Sequence, residues 1–244
     1  MAVTDRTMHR VERARRHFME LDQAIRDFMD DNPYPTTREV DPERGGFQFR
    51  VWIKKELPPN LGLIFGDFVH NLRAALDNLI YESALQKHPN PGSTKWPFCQ
   101  SREAFDEFGM LKYLEDEAIQ ALESYQPYHG SMENWQPRYL AVLNNFWNRD
   151  KHRTTNPIAL TSQFTSVAGY GDRIPQFFGI FGPIHDGKVV GWMPPDQEGM
   201  ELEPDFPISV AFREHNPVFL FPASAKTLFD LVQEIVASAV WVAK

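Results

Sequence analysis

LGLIFGDFVHNLRAALDNLIYESALQK, residues 61–87, places Leu61, Phe65, Phe68, Leu72, Leu76 and Leu79 on one face at about 100° per residue and so predicts a long buried helix. On roughly the opposite side fall His70, Arg73, Asp77 and Tyr81, with the small residues Gly66 and Ala74 among them to let another backbone approach. A solvated helix face usually carries long flexible charges. This one carries a His, an Arg, an Asp and a Tyr at spacings of three and four, able to hydrogen-bond to one another or to a ligand. The plainer reading is a hydrated face with an intrahelix Arg73–Asp77 pair, worth at most about 0.5 kcal/mol.

Working outward, Val11, Ala14, Phe18, Leu21, Ile25 and Phe28 alternate spacings of three and four over residues 5–30, a second long amphipathic helix that Asn32-Pro33 stops. Residues 36–40 and 47–55 read as the strands of a hairpin near 36–55, with Phe47, Phe49, Val51 and Ile53 on one face. Shorter helices follow near 101–108 and 114–125, the first capped by Ser101. Pro137 suits the first turn of a helix running to about 152. From 156 to 221 the pattern becomes short apolar runs broken by Gly, Pro and Asp, with Asp186-Gly187 as a turn between FFGIFGPI and VVGWM. An apolar helix near 223–242 closes the chain and must pack on other helices to be stable in water. The expected fold is α+β: one domain over 1–244, with a helical bundle from 1–155 plus 222–244 and an antiparallel β-rich insertion at 156–221.

The chain has 244 residues, 42% of them hydrophobic, enough for a full core, and a net charge of −8 that argues against a protein coated for non-specific nucleic-acid binding. Cys99 is the only cysteine, so no intrachain disulfide forms and zinc sites built on several thiolates are excluded. The N-terminal segment lacks the apolar run of a secretion signal, and no apolar run reaches the ~18 residues that span a bilayer. The expected location is the cytoplasm, away from membranes.

A second polar cluster lies in NNFWNRDKHR, residues 144–153. Leu140, Leu143 and Trp147 share one face, Asn144, Asn148 and Lys151 a neighbouring one, with His152 at its border. Asp150 falls toward the apolar side, where a carboxylate needs a partner, and Arg73 is the first candidate. The second cluster and the first, which also contains Asn71, form the candidate site if the two helices face each other. A third feature is the basic stripe Arg6, His9, Arg10, Arg13, Arg16 and His17. Cations at a helix N-terminus gain nothing from the macrodipole, so Arg6, Arg10, Arg13 and Arg16 are candidates for phosphate binding; the alternative is a solvated face paired with acidic residues.

The segments GDFVHNLRAALDNLIYESA and NRDKHR resemble those of a broad set of uncharacterised bacterial and phage proteins that pair an H-N-L-R-x-A-L-D helix with a later D-K-H-R. That resemblance implies no established activity. More distantly, polar residues on facing helices resemble the nucleotide-binding HEPN domains, many of which are metal-independent ribonucleases with an Arg followed four to six residues later by His. This chain departs from that pattern: no His follows Arg73 at that spacing, and Arg149 precedes His152 by only three residues.

Cleavage of RNA would need a base, an acid and a cation for the phosphorane charge. His70 and His152 would supply the first two, Arg73 and Lys151 the last; Asn71, Asp77, Asn144, Asn148 and Asp150 would form the supporting polar network. No cofactor is expected, since the chain has no GxxxxGK[ST], HExxH or GxSxG, and His70, Asp77, Asp150 and His152 match no recognised metal-ligand spacing. Partners that fit are RNA or a nucleotide, another protein, or a second copy of the chain along the narrow apolar stripe of the first helix. The competing reading is a non-catalytic interaction or small-molecule-binding protein, with the polar cluster a buried structural network and Trp147, Trp192 and Tyr170 as pocket walls.

Overall fold

A computed structural model describes residues 5–150, 155–161, 166–168, 178–194, 203–205, 208–212 and 219–239. The elements in chain order are α1 (Asp5–Asp30), β1 (Thr36–Val40), β2 (Phe47–Val51), α2 (Asn60–Lys87), α3 (Arg102–Asp106), α4 (Asp116–Ser124), α5 (Gln136–Asp150), β3 (Pro157–Thr161), β4 (Ser166–Ala168), β5 (Phe178–Gly179), β6 (Gly182–Pro183), β7 (Lys188–Met193), β8 (Glu203–Asp205), β9 (Ile208–Phe212), β10 (Phe219–Leu220) and α6 (Ala223–Ser238). The fold class is α+β, as expected. The chain forms two compact units. One is Met1–Leu21, Gly62–Thr155 and Pro222–Lys244; the other is Asp22–Leu61 with Asn156–Phe221.

The first unit is helical. Its centre is α2, which buries Phe65, Phe68, Leu72, Leu76 and Leu79 on the predicted face and Val69, Ala75, Ile80 and Ala84 elsewhere on its circumference. A helix apolar nearly all round is an interior helix. The face opposite the leucines is only partly hydrated: His70 and Tyr81 are exposed, but Arg73 is buried, as are the neighbouring Asn71, Glu82 and Ser83. Alongside it, Phe18 of α1 meets Phe68 with ring centroids 6.1 Å apart, and the buried Thr7 hydroxyl donates to Glu82 Oε1 at 2.9 Å. Those pairings, 18 with 68 and 7 with 82, run α1 and α2 antiparallel. From α5, Phe146 stands edge-on to Phe65 at 5.0 Å. α6 packs on α5 and buries Leu228, Leu231, Val232 and Ile235, as an apolar helix in water must.

The second unit holds the strands. β1 and β2 form the predicted hairpin, closed by Gly45 and Gly46 at φ of 69° and 75°, a conformation costly for residues with a Cβ. The expected division left this hairpin with the helices. Instead β2 pairs antiparallel with β7, giving a sheet of order β1-β2-β7-β5, so residues 22–61 cluster with the later strands. A second sheet has the order β10-β9-β3-β6, and β4 pairs with β8. The turn at Asp186-Gly187 forms, with Gly187 at a φ of 72°, but FFGIFGPI does not stay one strand: β5 pairs with β7 while β6 crosses to β3, the change of sheet falling at Gly182 with a φ of 136°. Phe49 and Val51 enter this unit's core with Phe28, Tyr34, Ala159, Val190 and Met193, and Phe47 and Ile53 pack against it, as the period-two alternation predicted.

Candidate functional site

The polar residues of α2 divide into a closed group and an open one. Arg73 belongs to the first. Its residue exposure is 2%, and its Nη2 donates to the Trp96 carbonyl at 3.0 Å and to Asp77 Oδ1 at 2.9 Å, while Asp77 Oδ1 also accepts the Trp96 N–H at 2.8 Å. The guanidinium lies 4.6 Å from the Phe98 ring centre and 4.9 Å from that of Trp147 on α5. Burial lowers the Arg73 pKa, and the Asp77 charge opposes that effect. Arg73 therefore clamps the 96–98 loop and α5 onto α2. The intrahelix Arg73–Asp77 pair exists, but in the interior and not on a hydrated face.

Gln126, which follows α4 and is fully buried, fixes the far end of the same loop. Its side-chain oxygen accepts the Cys99 N–H at 3.0 Å, and its amide nitrogen donates to the Leu122 and Pro97 carbonyls.

The open group begins about two turns earlier on α2, at Gly66. Asp150, the last residue of α5, rests its carboxylate against the α2 backbone at Gly66, where an added Cβ would collide with Asp150 Oδ1. The glycine thus admits a side chain from the facing helix, not a backbone. Arg73 is not its partner, because that cation is already held by Asp77 and Trp96; no ion pair to Asp150 occurs among the described residues. Burial first, then the charge of Asp67, raises the Asp150 pKa above the ordinary 3.8, while His70 acts in the opposite sense. His70 itself is exposed. A carboxyl with a raised folded pKa gives stability that is fully present below its ordinary pKa and lost as pH rises through the raised one. Ionised Asp150 is therefore a net cost at neutral pH. Asp150→Asn is expected to raise Tm at pH 7 by about 2 °C and to change it less at pH near 3; a lower Tm at pH 7 would show that the carboxylate has a stabilising cation.

Beyond His70, Asn71 is 5% exposed; it donates through Nδ2 to the Asp67 carbonyl at 2.8 Å and accepts from Arg10 Nη1 at 3.1 Å. Arg6, His9, Arg10, Arg13 and Asn71 line an open groove of about 560 Å³ between α1 and α2. The basic stripe is therefore not uniform. Arg15 and Arg16 both reach Glu12, at 2.8 and 3.4 Å, and His17 is buried against Glu20 at 3.2 Å. Arg16 thus falls outside the groove. Arg6, Arg10 and Arg13 form no ion pair among the described residues.

Two residues of the expected site, Lys151 and His152, lie outside the described residues, as does Tyr170. Asn144 is half-buried and Asn148 exposed on α5. Trp147 is engaged with Arg73, while Trp192 lines a separate concavity of about 340 Å³ in the strand unit with Gln48, Arg44 and Arg50. Sequence reasoning missed Asp67 and the 96–98 loop. The loop's signal was the aromatic pair flanking Pro97 between two helices, a composition unusual for a segment left in water.

Among the described residues, no group of three or more His, Cys, Asp or Glu is placed to hold a metal ion, and no helix is long and apolar enough to cross a membrane. Comparison with known protein families, curated proteins and solved structures finds no match to this chain.

Proposed function

We propose that the helical unit binds the phosphate of a nucleotide or of RNA in the groove between α1 and α2, with the exposed His70, next in sequence to the groove residue Asn71, as the base of an RNA-cleaving reaction. The observation that carries the reading is selective pairing. In a chain with net charge −8, Arg15, Arg16 and Arg26 are neutralised within α1, whereas Arg6, Arg10 and Arg13 face a shared groove with His9 and no acidic partner among the described residues. Cations kept out of ion pairs are available to an anion. In this reading His152 donates the proton to the leaving oxygen and Lys151 offsets the developing phosphorane charge, while Arg73 holds the helices in place.

Labelled RNA titrated with protein and followed by fluorescence anisotropy tests the binding step. Arg10→Ala and Arg13→Ala are each expected to weaken binding about tenfold, with Tm unchanged for Arg13→Ala and slightly lowered for Arg10→Ala, which takes a donor from Asn71; unchanged affinity in both variants removes the groove from the reading. For the chemical step, cleavage should persist in chelator and be abolished by His70→Ala and by His152→Ala. RNA that stays intact with wild-type protein leaves binding alone.

The burial of Arg73, with Asp77 half-buried against it, favours a second reading for that part of the site, a structural network in a non-catalytic binding protein. The two readings separate at His70, which the network does not use.

A further inference from the structure

Resting on the phosphate-binding reading, we infer that the groove's ligand is a strand of nucleic acid held by its backbone, without regard to base or sugar, and not a free nucleotide. Three observations support the inference. The cations are spread along the helix and not gathered at a point: Arg6, Arg10 and Arg13 sit at i, i+4 and i+7 of α1, a rise of about 10 Å at about 1.5 Å per residue. A stacked strand carries a phosphate about every 3.4 Å of its axis, so the stripe runs alongside about four consecutive phosphates. Among the described residues the groove is lined by Arg6, His9, Arg10, Arg13 and Asn71; its apolar surface comes from the stems of these side chains, and its one ring is the exposed His9 imidazole. Sites for small ligands are concave and enclose most of the ligand, whereas this groove stands open to solvent and would leave a purine uncovered.

The third observation concerns Asn71, the one groove residue able to read a donor and acceptor pattern. Both ends of its amide are already committed, Oδ1 to Arg10 and Nδ2 to the Asp67 carbonyl. It holds Arg10 in the groove, and at 5% exposure it leaves little of its amide to offer a base edge or a 2′-hydroxyl. Affinity must then come from charge, and so must fall steeply with salt.

The test uses the full chain with labelled oligo(U) and oligo(dT) of about 12 residues over about 50 to 200 mM salt. Expected are affinities within about twofold of each other and a slope of log K on log salt near −2, from three contacts at about 0.7 each. Arg6→Gln, Arg10→Gln and Arg13→Gln should each reduce the slope by about 0.7, with Tm unchanged for Arg6→Gln and Arg13→Gln. A large excess of ATP should leave the strand bound. Displacement of the strand by equimolar ATP, a strong preference for one base, or a slope unaffected by the arginines would each overturn the inference. So would binding of inorganic polyphosphate with no binding of either oligonucleotide. The two levels of the argument fail differently: ATP bound as tightly as a strand sinks only the strand inference, whereas no binding of any phosphate-bearing probe sinks the phosphate reading beneath it.

Discussion

Arg73→Ala is expected to lower Tm by about 10 °C, the consequence of about 3 kcal/mol lost when one partner of a buried pair is removed in a chain of this size. The loss has several parts that a surface pair would not have. The Trp96 carbonyl loses its donor, Asp77 loses its counter-charge in a half-buried setting, and two rings lose the cation between them. Arg73→Lys should recover less than half of the loss, because an ammonium is a point charge and cannot present a flat face to Phe98 and Trp147 while donating to Trp96 and Asp77. Asp77→Asn retains an acceptor for the Trp96 N–H but leaves the guanidinium without its anion, so it too should destabilise. Thermal and denaturant unfolding measure all three. An unchanged unfolding curve for Arg73→Ala would mean that the clamp holds nothing.

Gly66→Ala should cost about 1–3 kcal/mol, because the new methyl group would occupy the place of the Asp150 carboxylate and force it out. The informative comparison is with a chain that already carries Asp150→Ala. There the same change at Gly66 should stabilise by up to about 1 kcal/mol, since alanine is the better helix former and the nearest obstacle is gone. Reversal of sign between the two backgrounds is the signature of direct contact. A cost of equal size in both would assign the role of Gly66 to some other neighbour.

Periodicity located the long helices because burial alone dictates where Phe18, Leu72 or Ile235 must point, and each falls where spacing put it. The same arithmetic placed Arg73 opposite the leucine face but could not foresee that a loop some twenty residues later would fold over it. Angle around a helix is local information; what covers that angle is not. Asp150 shows the limit again. Its turn toward the apolar side was legible, whereas its seat at Gly66 depended on a crossing that no single helix encodes. By contrast, the different fates of Arg13 and Arg16 were partly readable, since Glu12 lies four residues before Arg16 and three before Arg15, within pairing distance on a helix. The strand order was the least accessible, because β2 meets β7 across more than a hundred residues and no local pattern reports such a pairing.

The Gln126 anchor has a practical outcome. It ties down the backbone of Cys99, which is 6% exposed and whose pKa burial pushes up, so the thiolate is scarce while the loop is closed. As the sole sulfhydryl in the chain, it supplies a native chronometer. The rate at which a thiol reagent modifies this protein counts how often that segment lifts from its bed, with no label to be engineered and no second site to confuse the signal.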